Sequence, residues 1–286
     1  MARRSSPTVR NRELGALLKG FREAKGLTAA QVAKDVGLSP AVISRLETAS
    51  RTSPRSGAAN VRALCSFYGL DAPTTERLVQ LAREGSQPGW WQRFDLEEPT
   101  ATYLDLETAA LSIDTFESWI APGLLQTREY ASEVIQLLRS HLSAEQLTET
   151  LESRIQRGRI LTGENPLIFH PVIDESVLHR SVGTRRILRD QLIHLRKAAA
   201  LPNVTVQVLP FSAGINDGTN GPFSIMNFAE ELMPPVVHSE GQLGQLFEDD
   251  PRVVGRVRQA FTALTAAALT PEESLNLIDE RIRALT

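Results

Sequence analysis

The sequence predicts two unlike domains: a mainly α N-terminal domain of five helices over residues 11–85, and an α+β C-terminal domain over 102–286 with helices packed on a mainly antiparallel sheet. Three observations carry this. Apolar residues recur at helical spacing as far as Gly85. Gly85-Ser86-Gln87-Pro88-Gly89 then breaks the pattern and opens a linker over 86–101. Beyond Asn165-Pro166 the periods shorten, and Val204, Val206 and Val208 alternate as in a strand, among turns rich in Gly, Asn and Pro.

Residues 1–10 read as a disordered basic tail in which Arg3, Arg4 and Arg10 suit phosphates or a minor groove. The first helix, about Asn11 to Lys25, carries Leu14, Leu17, Leu18 and Phe21 on one stripe, and Gly26 ends it. Thr28 then fits an N-cap with Gln31 as its capping-box partner. The short helix it opens shows Val32, Ala33 and Val36 on one face, and Gly37 stands where the chain must turn sharply. Ser39 is the next N-cap, with Pro40 at N1, where a missing N–H costs nothing. The following helix turns Val42, Ile43 and Leu46 inward and leaves Ala41, Ser44 and Arg45 on another face. Two short helices about a tight turn, with small and hydrogen-bonding residues outward, describe a helix-turn-helix; an ordinary αα-hairpin shares the outline. A polar loop with Arg51 and Arg55 follows, then helices at about Ala58–Tyr68 and from Asp71 to Gly85. Cys65 sits on an apolar stripe and reads as core rather than as a redox sensor.

In the C-terminal domain, helices are predicted from about Thr102, over Arg128–Arg139, Ala144–Leu161, Thr184–Ala200, Asp250–Ala268 and Pro271–Ala284. Strands are predicted over Thr115–Ile120, Leu167–Ile173, Val204–Leu209, Phe223–Phe228, Val236–Ser239 and Leu243–Phe247. Trp90 and Trp91 read as pins holding the linker to a domain surface.

Charge favours the helix-turn-helix over the hairpin. The net charge is −3, yet residues 1–60 hold eleven Lys/Arg against four Asp/Glu, and the remainder holds twenty against thirty. A basic end bearing this motif suits a polyanion. A single cysteine allows no internal disulfide, and the basic N-terminus has no apolar core after it, so the expectation is a cytoplasmic protein without a signal peptide or membrane span.

The run LTAAQVAKDVGLSPAVISRLE within five helices resembles the phage-repressor-like (Xre-type) DNA-binding domain over about residues 11–85. The resemblance implies that Ser39, Pro40, Ala41, Ser44 and Arg45 face DNA, and that Leu46 and Glu47 support them. Thr28, Arg51 and Arg55 complete the expected DNA-binding set. Many relatives carry Gln at the start of the helix before the turn; here Ala29 stands there. Without amides at Pro40 and Ala41, base readout leans on Arg45 and Ser44, with Ala41 against a thymine methyl, and shape and phosphate contacts carry more. The runs LETAALSIDTFESWIAPGLLQTREYA, VIDESVLHRSVG, PNVTVQVLPFSAG and GPFSIMNF resemble the domain of unknown function that follows Xre-type domains in actinobacterial, WhiJ-like regulators. That resemblance implies a regulator, often encoded beside a small acidic partner protein that the C-terminal domain receives.

Trp119, Ile120, Pro122, Gly123, Leu124, Leu125 and Gln126 put much apolar surface at a Pro-Gly turn. Two readings stay open: Leu124 and Leu125 plug the core, or the segment borders a groove for a partner or small apolar ligand. No catalytic, metal or cofactor constellation is written in the sequence. The five histidines lack HxxxH or HxH spacing, and Asp174-Glu175 with His179 reads as a helix start. Gly214–Gly221 lacks a phosphate-loop pattern. The expectation is a non-enzymatic, sequence-specific transcriptional regulator, homodimeric on double-stranded DNA, whose C-terminal domain senses a small partner protein or ligand. An antitoxin-like component that sequesters a partner and autoregulates its operon is the alternative.

Overall fold

Side-chain caps set three helix starts of the N-terminal domain. In the computed structural model, which describes residues 7–48, 54–87, 89–94, 96–229 and 233–285, the domain holds α1 (Pro7–Ala24), α2 (Ala29–Asp35), α3 (Pro40–Glu47), α4 (Pro54–Tyr68) and α5 (Ala72–Glu84). The Thr28 hydroxyl accepts from Gln31 N while the Gln31 side chain answers Thr28 N, a reciprocal capping box. Ser39 caps α3 through Val42 N, with Pro40 in the first turn. Asp71 caps α5 through Thr74 N, and those hydrogen bonds hold its carboxyl below the usual range. Gly37 takes φ +68° at the turn between α2 and α3, a conformation that costs a side-chain-bearing residue energy.

The core of this domain is Leu14, Leu18, Val32, Ala33, Ile43, Leu46, Val61, Leu64, Cys65, Leu78 and Val79. Cys65 is fully buried there, and burial pushes its thiol up. α1 begins earlier than the apolar stripe predicts, so residues 7–10 of the expected tail are helical; residues 1–6 lie outside the described set. The extension has a physical reason: Val9 is buried against Leu106, Ala109 and Ala110 of the C-terminal domain. Arg10 is drawn in with it, 3.2 Å from buried Glu13 and 2.9 Å from Glu84, which takes it away from a phosphate-facing role.

The predicted linker is folded. A 3₁₀ turn, Trp90–Arg93, buries Trp91, and the Trp90 indole donates to Thr108 Oγ1. α6 (Glu98–Ala109) then leads into β1 (Ser112–Glu117). α7 (Arg128–Leu138) and α8 (Ala144–Arg157) cross to β2 (Ile168–Asp174), and α9 (Ser176–His179) and α10 (Arg185–Ala198) cross to β3 (Gln207–Leu209). β4 (Phe223–Asn227), β5 (Val236–Gly241) and β6 (Gly244–Glu248) are followed by α11 (Pro251–Ala267) and α12 (Pro271–Ala284).

The six strands form one sheet in the order β3-β2-β1-β4-β5-β6. The helical crossovers make β1–β2 and β2–β3 parallel, and the three pairings from β1 to β6 are antiparallel, so the sheet is mixed with an antiparallel majority. Two apolar layers cover it. On one face Ile113, Phe169, Ile173 and Met226 pack with Leu106, Tyr130, Leu188, Leu192 and Ile278. On the other, Phe116, Val172 and Ile225 pack against Val254, Phe261 and Leu264 of α11.

β1 starts three residues before the alternation predicts. Ile113 continues the helical spacing of Tyr103, Leu106 and Ala110, yet it lies in the strand. β3 is shorter than expected, because Val204 makes only an isolated bridge to Phe169.

Candidate nucleic-acid interface

The two faces of α3 are sharply divided. Ile43 and Leu46 are buried, while Ser39, Pro40, Ala41, Ser44 and Arg45 are exposed, as is Thr28 at the start of α2. The Arg45 Nε donates to the Ala41 carbonyl one turn back at 3.2 Å, which lays the guanidinium along the outward face. The Thr48 hydroxyl donates to the Ser44 carbonyl at 2.7 Å and satisfies the end of the helix.

Position and angle of α3 are set by contacts with α1 that sequence reading did not anticipate. Arg22 Nε and Nη2 reach the two oxygens of Glu47 at 2.7 and 2.8 Å, and Arg22 Nη1 donates to the Leu27 carbonyl at 2.8 Å. The Glu47 hydrogen bond is the main cause that holds the Arg22 guanidinium above its ordinary value. Gly15 supplies the other contact: a Cβ there would lie 2.6 Å from the Glu47 carbonyl and 2.7 Å from that of Leu46. Only a residue without a side chain lets α1 approach α3 so closely. Tyr68 sits beneath, its hydroxyl buried without a hydrogen-bond partner among the described residues and its pKa pushed up to about 12 by burial. Arg51 lies outside the described residues, and Arg55 falls in the first turn of α4.

The segment 119–126 is divided too. Trp119 is 56 % exposed and Ile120 half-buried, but Leu124 and Leu125 are 6 % and 1 % exposed within the main core. They therefore line no open groove, which corrects that part of the expectation. Pro122 and Gln126 are buried as well, with Gly123 intermediate. The apolar turn is tolerated because buried amides satisfy its backbone. Gln126 Nε2 donates to the Ala121 carbonyl at 2.8 Å, and Gln191 Nε2 donates to that of Leu125 at 2.6 Å. Gln191 Oε1 accepts from Thr127 N, and the Tyr130 hydroxyl accepts from Ala121 N. Near β2, Glu175 accepts from Phe211 N at 2.7 Å, and its other oxygen is 3.6 Å from His179. Among the described residues there is no group of three or more His, Cys, Asp or Glu fit to hold a metal ion, and no helix is long and apolar enough to cross a membrane.

A capped short helix, a glycine turn and a second helix with one buried and one exposed face define a helix-turn-helix domain, the kind of module that binds DNA in transcription regulators. A helix-turn-helix family model matches residues 13–78. The model of the domain of unknown function DUF5753 matches residues 100–280, well over half the chain, and the chain belongs to that family. No curated protein and no solved structure matches it.

Proposed function

We propose that this chain is a sequence-specific transcriptional regulator of the Xre and WhiJ-like kind. It acts in the cytoplasm and binds an inverted-repeat operator as a homodimer. One observation carries the reading: the outward face of α3 presents Ser39, Pro40, Ala41, Ser44 and Arg45 to solvent, while the Arg22–Glu47 pair and the Gly15 contact fix the helix from behind. In this reading Arg45 and Ser44 read base edges and Thr28 contacts backbone phosphate. Arg51, in the basic stretch that joins α3 to α4, and Arg55, in the first turn of α4, have the same backbone role. The C-terminal domain binds rather than turns over its target, receiving a small partner protein or ligand that biases DNA binding.

Selection of duplexes from a random pool by the full-length protein tests this, with sedimentation of the bound complex. The expected result is an enriched inverted repeat with half-sites about 34 Å apart, bound by two chains. An unenriched pool, or a single chain on an asymmetric site, would contradict it.

A further inference from the structure

The sheet ends at β3 on one side and at β6 on the other. The β3 edge is closed by the turn between α11 and α12. Val208 N donates to Ser274 Oγ at 2.9 Å, the Val208 carbonyl accepts from Leu269 N at 2.9 Å, and Gln207 Nε2 donates to the Leu269 carbonyl at 2.8 Å. β6 has no such cover among the described residues. Gln242-Leu243 is a two-residue turn, and Gly241 and Gly244 close the hairpin as a pair. Ladder bonds to β5 therefore come from Gly244, Leu246 and Glu248, and Gln245 and Phe247 turn their N–H and C=O groups outward from the sheet. No backbone group among the described residues meets them.

An open edge invites a further strand, and proteins that must stay single blunt it with a charge, a proline or a bulge. Gly244–Phe247 carries none of these. Instead Leu246 stands 59 % exposed on the α11 side of the sheet, paired with Ser239, and Leu243 is fully exposed at the turn. The charges of the segment are gathered at its far end, in Glu248, Asp249 and Asp250. That uneven distribution selects the partner. A strand laid antiparallel on its own copy sets the two acidic ends apart, each beside the uncharged turn of the other. At the turn, Glu97 and Glu240 are both held by Arg139 at 3.0 Å, and Asp250 is held by Arg252 at 2.8 Å, so the arriving acids meet no unpaired carboxylate of these.

We propose that β6 is the homodimer interface: the β6 strands of two copies pair antiparallel about a two-fold axis at Leu246, and one sheet runs through both C-terminal domains. In this register Gln245 of one copy exchanges backbone hydrogen bonds with Phe247 of the other, which uses the groups that point outward. Leu246 faces its own counterpart as a close, non-hydrogen-bonded pair, and both side chains leave water. Glu248 faces Gly244 of the other copy, and Asp249 faces Leu243. A shift of two residues one way sets Leu246 against Glu248, and the other way against Gly244, so the symmetric register covers the leucine best. The interface is isologous, as a two-fold dimer requires. It deepens the homodimer reading above and rests on it only for its use on DNA, because self-association is measured without DNA.

The test is sedimentation of the full-length protein without DNA, joined to cross-linking. Wild type is expected to be a dimer, and Leu246→Lys, which sets like charges opposite each other at an exposed position, should weaken self-association by about tenfold or more. Leu246→Cys under mild oxidation should give a covalent dimer on a non-reducing denaturing gel, since the register brings that position against itself. Leu243→Cys, still more exposed, should stay uncrosslinked because it faces Asp249; the native Cys65 is buried and does not interfere. A monomeric wild type, a Leu246→Lys protein that dimerises like wild type, or equal cross-linking at 243 and 246 would each overturn the proposal. The second of these outcomes leaves the operator reading intact, whereas a β6 dimer that selects no inverted repeat overturns that reading and leaves this interface standing.

Discussion

Arg22 and Glu47 are 25 residues apart in sequence, yet they meet as a two-pronged ion pair with both side chains largely withdrawn from solvent, 13 % and 8 % exposed. The pair ties the end of α3 to α1, so the orientation of the DNA-facing helix and the stability of the domain depend on the same contact. Removing one partner leaves a charge with little water to solvate it. Glu47→Leu should therefore destabilise the N-terminal domain by about 3–5 kcal/mol, and the double variant Arg22→Leu/Glu47→Leu by less than the sum of the Arg22→Leu and Glu47→Leu single changes. Denaturant melts of the four proteins check this. Additive losses would mean that the pair is not coupled.

Gly15 offers a sharper probe of the same joint. Gly15→Ala places a methyl group against two backbone carbonyls, 2.6 and 2.7 Å away, which cannot rotate out of the way. The expected cost is about 1–3 kcal/mol, with DNA affinity falling further than stability alone explains because α3 is displaced. An alanine variant with unchanged melt and affinity would show that α1 and α3 have room to separate.

The core assignment of the 119–126 turn is tested by contrast. Leu125→Ala should cost about 2–5 kcal/mol, as befits a side chain 1 % exposed. Trp119→Ala, at 56 % exposure, should stay within about 0.5 kcal/mol. Equal effects would refute the division of this segment into a buried and an outward part.

Two titratable groups, Glu117 at the end of β1 and His238 on β5, give the melt a pH signature. Glu117 is raised from 4.5 to about 8 by burial, opposed by Arg154 and Arg157 and reinforced by Glu240. Its contribution is present below pH 4.5 and is lost as pH rises through about 8. His238 is lowered from 6.5 to about 4, mainly by burial, so its contribution is present above 6.5 and lost as pH falls through about 4. Between pH 6.5 and 8 only Glu117 of this pair acts, and wild type should lose melting temperature with rising pH more steeply than Glu117→Gln. Parallel slopes would mean that the carboxyl is ionised throughout that window.

What was legible in the sequence was whatever is local. α12 runs over Pro271–Ala284 as predicted, because Thr270, Pro271 and Glu273 write a capping box and a first-turn proline into adjacent positions. The α2–turn–α3 unit was readable for the same reason. β1 was misplaced because Ile113 satisfies a helical stripe and a strand alternation equally, and only pairing with Phe169 and Met226 decides between them. The linker composition concealed Trp91, whose burial depends on the surface it meets. The cluster of Glu107, Arg157, Tyr103 and His238 was illegible. Glu107 and Arg157 are 50 residues apart, and Tyr103 meets His238 from a different element altogether. Nothing in the local pattern of α8 separates Arg154, with its amide partner, from Arg157, with its carboxylate.

The account stands or falls on whether the exposed face of α3 reads bases. The direct measurement compares Arg45→Ala with wild type on the selected operator, on operators altered at single base pairs, and on random duplex, at one fixed salt concentration. Arg45→Ala should lose about 1–3 kcal/mol of discrimination at one base pair of each half-site while binding random duplex nearly as well as wild type. An equal loss on operator and random duplex would reduce Arg45 to a phosphate contact and contradict the reading of α3 as the recognition helix.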